Sequence, residues 1–382
     1  MRRLLLRQLV GCALFLAGIA WIPYAWHSRL ADRWYGGDAE LQSKLANGVE
    51  FWMREGLDRD DFATGSKLFD GEWLYGTYVM AAIGFGQLAA QQPENKEHYL
   101  ALMEEAIDEV LSDRVRQFDI EMWKSDPLET LDTKDGHAAY LGYVNLAMGL
   151  HRHLNPDSKF ADLNDRISAA LRRRIETSPT LLLESYPHET YPVDNCAVIA
   201  SVVLNGRLNN IGFDDLAGRW AGRCRRKYME PKSGLLFQAV NGKTGAIYDF
   251  PRGSGTTLGL FFLSFMDPHL SEDLYQAVKN ELAGNVCGFG LVREYARGVH
   301  GQNGDIDSGA VIFGYGLSPT GFALGGARIH GDRDYFKHLY ATAHAAGAPL
   351  QTRERFNFVT GASLGDAILF AMLTAQPGGF AP

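Results

Sequence analysis

Ser185-Tyr-Pro-His-Glu-Thr-Tyr-Pro-Val-Asp-Asn-Cys196 is a polar, aromatic loop that runs straight into the apolar stretch Ala197 to Leu204. Pro192 suits the first turn of a helix, where its missing N–H would have no intrahelical partner anyway. A helix is therefore expected over 193–204. Asp194 and Asn195 then fall in its first turn, where exposed backbone N–H groups and the helix dipole favour negative charge. His188, Glu189 and Tyr191 stand just upstream. A helix cap decorated with tyrosines would account for this stretch by itself, but the chain repeats the arrangement.

Outward from this loop, helical patterns alternate between two kinds. Segments 39–55, 94–113, 158–177, 213–228, 271–283 and 332–346 are amphipathic and charged. Segments 72–90, 137–150, 193–204, 256–265, 308–327 and 363–373 are apolar almost all round and rich in Gly and Ala. A helix with one wet face lies on the surface, whereas one apolar on every side is surrounded by protein. Strict alternation of outer and inner helices is what an (α/α)6 toroid requires. The expected fold class is all-α, six helical hairpins forming a single catalytic domain over 38–376. Segments 235–240 and 246–248, joined through Asn241-Gly242, are expected to form a small β-hairpin insertion, because Asn-Gly supplies the positive φ angles of a tight turn. A further short strand is expected over 291–295.

The 382 residues, 46% hydrophobic and 12% aromatic, can bury a large core. A net charge of −8 leaves no basic footprint for nucleic acid, and Arg172-Arg173-Arg174 reads as one solvated helix face. Arg2, Arg3 and Arg7 precede an apolar run from Leu9 to Trp26 of roughly membrane-spanning length. Residues 1–28 are thus expected to be an uncleaved signal anchor, single-pass in a bacterial inner membrane, with the C-terminal domain periplasmic. Beyond Cys12, the remaining cysteines Cys196, Cys224 and Cys287 are too far apart for a disulfide framework or a CxxC metal site.

In a toroid of this kind the amino ends of the inner helices emerge on one face. The first start carries Asp70, Glu72, Trp73 and Tyr75; the second Asp135, His137, Tyr140 and Tyr143; the third is the opening loop. The fourth carries Asp249, Arg252, Ser254, Thr256 and Thr257, the fifth Asp305, Asp307 and Ser308, and the sixth Thr360, Ser363 and Asp366. Capping explains an Asp, Ser or Thr at each helix, at about 0.5–2 kcal/mol apiece. It does not explain the aromatic, His and Arg side chains beside them, which fit the walls of a ligand cleft. Candidate catalytic residues are Asp194, Asp307, Glu189, Asp305 and His137. Candidate substrate-binding residues are Tyr191, Asn195, Tyr186, His188, Trp73, Tyr75, Tyr140, Tyr143 and Arg252. Asp305 and Asp307, one residue apart, can hold each other's titration apart and divide acid from base roles, as C–O bond cleavage demands. The Asp-x-Asp lacks the further ligands of a calcium loop, and Gly253-Ser254-Gly255 is too short for a phosphate loop, so neither metal nor cofactor is expected.

Tyr191-Pro-Val-Asp-Asn-Cys-Ala-Val198, Glu230-Pro-x-x-Gly234, Gly245, Thr256-Thr257 and Met266-Asp-Pro268 resemble the corresponding run of the bacterial linalool dehydratase/isomerase family. Asp126-Pro-Leu-Glu129 followed by Gly142-Tyr-Val-Asn-Leu-Ala-Met-Gly-Leu150 resembles it too. The resemblance covers 62–268 and implies an (α/α)6 barrel that adds and removes water without a cofactor. The family's histidine position corresponds to Tyr143 and its cysteine positions to Tyr186 and Asn195, so those groups are not retained; His137, Glu189 and Asp194 stand nearby as alternative acids and bases.

The function expected from these residues is an envelope-anchored enzyme that makes or breaks a C–O bond by carboxylate and tyrosine chemistry on a glycan or polyhydroxylated substrate. Its alternatives are a hydratase, dehydratase or isomerase of a small alcohol, and a non-catalytic glycan-binding or exopolysaccharide-assembly component. An oligomer is compatible with all three.

Overall fold

Wet and dry helices sort into two concentric rings in the computed structural model, which describes residues 18, 21–212, 214–299, 304 and 308–380. A short α1 (Ala31–Tyr35) leads into outer α2 (Ala39–Glu55), inner α3 (Lys67–Gln91) and outer α4 (Lys96–Leu111), which is extended by α5 (Asp113–Trp123). Inner α6 (Ala138–Leu154), outer α7 (Ala161–Thr177), inner α8 (Pro192–Leu208) and outer α9 (Asp214–Arg223) follow. Inner α10 (Gly253–Leu263), outer α11 (Pro268–Glu281), inner α12 (Leu317–Ile329), outer α13 (Arg333–Gly347) and inner α14 (Ala362–Leu373) complete the body. Each inner helix packs on the next, and α14 packs back on α3, which closes the ring.

The inner helices hold this position because they have no wet face: residues 194–206 of α8 are all buried. Gly142 lets α6 approach α8 closely, since a Cβ there would stand 2.9 Å from the Val198 amide nitrogen. A buried amide network ties the rings together. Asn145 donates to Ser168 Oγ at 2.9 Å and Ser201 Oγ at 3.0 Å, and Asn164 donates to Asn145 Oδ1 at 2.8 Å. Paired in this way, buried polar groups avoid the desolvation cost of standing alone.

Short strands sit between helices. The expected hairpin is present as β1 (Phe237–Val240) and β2 (Ile247–Pro251), antiparallel, with Ala239 opposite Asp249. The expected strand near 291–295 is β4 (Phe289–Arg293), part of a sheet ordered β3-β4-β6-β5 with β3 (Ala283–Val286), β5 (Val311–Ile312) and β6 (Tyr315–Gly316). The turn between β5 and β6 places Phe313 at φ 52° and Gly314 at φ 83°, the positive angles a two-residue hairpin needs. That hairpin delays the fifth inner helix to Leu317, later than the expected 308. A last hairpin joins β7 (Pro349–Gln351) and β8 (Phe356–Phe358).

The membrane anchor requires correction. Most of the run 9–26 lies outside the described residues, and among the described residues no helix is long and apolar enough to cross a membrane. Its described end docks on protein instead: Tyr24 stacks on His338 with ring centroids 5.5 Å apart, and His27 Nδ1 lies 2.9 Å from His344 Nδ1. The inner-membrane placement and periplasmic location drawn from that run fall with it.

Candidate active site

The amino-terminal turns of the inner helices surround a cavity of about 710 Å³, within the range of small-molecule sites. Trp73, Tyr75, Tyr143, Tyr186, Glu189, Tyr191 and Asp194 all line it, so the structure brings together seven of the residues singled out in the sequence.

Asp194 sits in the first turn of α8, 9% exposed, and accepts a hydrogen bond from Tyr143 Oη on α6 at 2.7 Å. Burial raises the Asp194 carboxyl above the ordinary carboxylate range, against hydrogen bonds from Ser185 and Tyr143 that pull it down. Tyr143 itself is pushed up by burial and then by the Asp194 charge, with Tyr75 and Glu72 adding to the effect. It therefore stays a phenol and a donor. Its ring is fixed edge-on against Phe262 at 4.8 Å. Glu189 is exposed at the rim and accepts from Tyr191 Oη at 2.7 Å.

The loop is held by its own backbone. Glu189 N donates to Tyr186 O at 2.9 Å and Ser185 N to Glu189 O at 2.8 Å, a tight turn that puts His188 at φ 69°. Asn195 clamps the loop base: its Oδ1 accepts from Leu183 N at 2.7 Å, and its Nδ2 donates to the Leu183 and Tyr191 carbonyls at 3.0 Å each.

Other expected residues lie elsewhere. Asn195, buried in that clamp, does not line the cavity; nor does Tyr140, whose Oη donates to Val110 O at 3.0 Å. His137 is 0% exposed, its Nδ1 2.6 Å from Asp119 Oδ2 and its ring 4.5 Å from Trp123. His188 is an exposed turn residue outside the lining, and Arg252, also outside it, donates to Asp249 Oδ2 at 2.6 Å. Asp305 and Asp307 lie outside the described residues, although Gly309 beyond them lines the cavity. Among the described residues no cluster of His, Cys, Asp and Glu has the makings of a metal site.

Ser254, named at the fourth helix start, lines the cavity as well, and Gln238 is an additional lining group. Ser254 Oγ donates to Glu294 Oε1 at 2.7 Å and its amide to Glu294 Oε2 at 3.1 Å, so a fully buried carboxylate caps α10 from another part of the chain. No local signal announces Glu294. The opposite wall is apolar, with Met80, Phe322, Leu364, Ile368 and Leu369 from α3, α12 and α14.

The Tyr143 hydrogen bond makes a signed prediction. It stabilises the charged form of Asp194, so Tyr143→Phe should raise the Asp194 pKa further. If Asp194 is the proton donor, the alkaline limb of the pH–rate profile should move to higher pH in that variant. An unmoved limb would show that Asp194 does not set it.

No protein-family model matches the chain. Among solved structures it is similar to an unsaturated glucuronyl hydrolase specific for heparin, at 11% identity and TM-score 0.53, covering 90% of this chain and 96% of that one. It is also similar to the GH76A alpha-1,6-mannanase from Salegentibacter sp. HEL1_6, at 9% identity and TM-score 0.50, covering 78% of this chain and 88% of that one. At such identities the likeness establishes a shared helical-barrel architecture. The linalool dehydratase/isomerase family is not shown by either comparison.

Proposed function

We propose that residues 38–376 form one catalytic domain that cleaves a C–O bond in a glycan or polyhydroxylated substrate, with Asp194 as proton donor and Glu189 as base. The observation that carries this reading is the Tyr143–Asp194 pair: a buried carboxyl with a raised pKa, opening on the same cavity as the rim carboxylate Glu189. A carboxyl that burial holds toward its protonated form is suited to the acid role. Asp194 gives its proton to the bridging oxygen as the C–O bond breaks. Glu189 takes a proton from the water whose oxygen attacks the carbon, so the net change is addition of one water. Trp73, Tyr186 and Tyr191 in the lining supply aromatic surface on which the C–H faces of a sugar can pack. The glycan itself is supported by the two barrel neighbours, which are a glucuronyl hydrolase and a mannanase.

The test is a panel of oligosaccharides and glycosides followed by mass spectrometry. Cleavage should give fragments whose masses sum to the substrate plus one water, and Glu189→Gln should lose about 10²–10⁴-fold in kcat with its fold intact, because Glu189 is exposed. Binding without products would favour the non-catalytic alternative, and unsaturated fragments a lyase. A second reading, dehydration or isomerisation of a small alcohol, is favoured by the apolar wall, which offers a hydrocarbon a surface to bury.

A further inference from the structure

We propose that the apolar wall is a subsite for the leaving alcohol, so that the preferred substrate is a glycoside of an alkyl or similarly apolar alcohol. The inference rests on the C–O cleavage reading above and narrows its substrate class. In ring order α12, α14 and α3 are consecutive, so Phe322, Leu364, Ile368 and Met80 form one continuous face across from Asp194. Three threonine hydroxyls on that side already donate to backbone carbonyls. Thr320 Oγ1 donates to Gly316 O at 2.7 Å, Thr342 Oγ1 to Gly290 O at 2.6 Å and Thr360 Oγ1 to Ala346 O at 2.6 Å. The Met, Phe, Leu and Ile side chains of the wall offer a sugar ring no hydrogen bonds in exchange for its hydration, which is costly, whereas an alkyl chain has nothing to lose.

The glycines on this side hold space open. A Cβ built on Gly365 of α14 meets no atom within 4 Å, and one on Gly321 of α12 first meets Leu369 Cδ2 at 4.0 Å. On the packed flanks of the same ring the opposite holds, since a Cβ on Gly84 would stand 2.3 Å from Phe370 Cδ1. Helical glycine carries an entropic cost that alanine would avoid. At Gly365 and Gly321 no close neighbour accounts for it, but room for a ligand does. During turnover the sugar carbon–oxygen bond breaks, Asp194 protonates the oxygen leaving on the alkyl group, and Glu189 deprotonates the incoming water. The products are the free sugar and the apolar alcohol.

Calorimetric titration with 1-octanol and with methyl and octyl glucosides and mannosides, all below micelle formation, tests the subsite apart from chemistry. Each buried methylene contributes about fourfold to affinity, so an octyl glycoside should bind at least about 30-fold tighter than its methyl counterpart. Gly365→Leu and Gly321→Leu, sited in helices at ordinary φ, should keep or raise Tm and remove at least about tenfold of that gain, leaving methyl glycosides within about twofold. Equal binding of octyl and methyl forms, no heat with any octyl ligand, or full octyl gain in both leucine variants would overturn the subsite. Octyl gain that the variants remove, in a protein that cleaves none of the glycosides in the turnover panel, would uphold the subsite and defeat the cleavage reading instead.

Discussion

Asp194→Asn should give a folded protein, more stable than the parent at alkaline pH, with kcat reduced about 10³-fold or more. The loss follows from removing the proposed proton donor, whose class contributes typically 10²–10⁴-fold. The fold should survive because Asn still accepts the Tyr143 hydroxyl and suits a helix first turn nearly as well as Asp. The stability gain is a matter of sign. Burial raises the native carboxyl pKa above its unfolded value, so the native state binds more protons in the window between the two. That contribution is fully present below the ordinary carboxylate pKa and is lost as pH rises through the raised one. Asparagine has no charge to bury, so its denaturant midpoint should not show that decline. Urea unfolding at acidic and alkaline pH, beside turnover, measures both effects. A folded variant of undiminished activity would reduce Asp194 to a helix cap.

Breaking the Asp119–His137 contact should have the converse profile, with stability lost by about 3–5 kcal/mol and chemistry retained. Both side chains are 0% exposed, and Asp119 Oδ1 has no hydrogen-bond partner among the described residues, so either truncation strands a buried polar group. Burial already raises the Asp119 pKa against the pull of His137, which marks a carboxyl that water does not relieve. Asp119→Ala and His137→Ala should both lower the urea midpoint, while kcat per folded molecule stays within about threefold. A His137→Ala protein of normal stability and abolished turnover would restore His137 to the mechanism.

The ring was legible in the sequence because burial on every side leaves a compositional mark: 193–204 has no wet face, whereas 39–55 does. Pro192 marked a helix start through backbone chemistry that acts locally; the hairpin is found too, but its positive φ falls at Gly245 and not at Asn241-Gly242. The Asp194 first turn was legible for the same reason. His137 was not, because its environment is decided by Asp119 on α5, a partner 18 residues upstream that no spacing rule selects. Asn195 was misleading for a related reason, since an amide beside a loop reads alike whether it meets ligand or backbone. The apolar wall escaped notice because Leu364 and Ile368 look the same in sequence whether they face another helix or an open space. The run 9–26 matched a membrane span in length and hydropathy, and neither property registers the docking of Tyr24 and His27 on protein.

The closed ring also governs how the chain must fold. Its seam joins the first inner helix to the last: Gln87 donates to Ala371 O at 2.9 Å and Gln91 to Thr374 O at 2.6 Å, while Arg328 reaches Ala375 O at 2.6 Å and the carbonyls of Trp34 and Tyr35. The Gln87, Gln91 and Trp34–Tyr35 contacts join residues 283 to 294 positions apart, and such distant pairings are slow to form because a long loop must be closed before they are rewarded. Hairpins can condense one after another as they leave the ribosome, yet α3 keeps an uncovered apolar flank until α14 has been synthesised. The cavity is thus the last part of the molecule to come into being, and a nascent chain missing only its final helix would be an open, sticky arc.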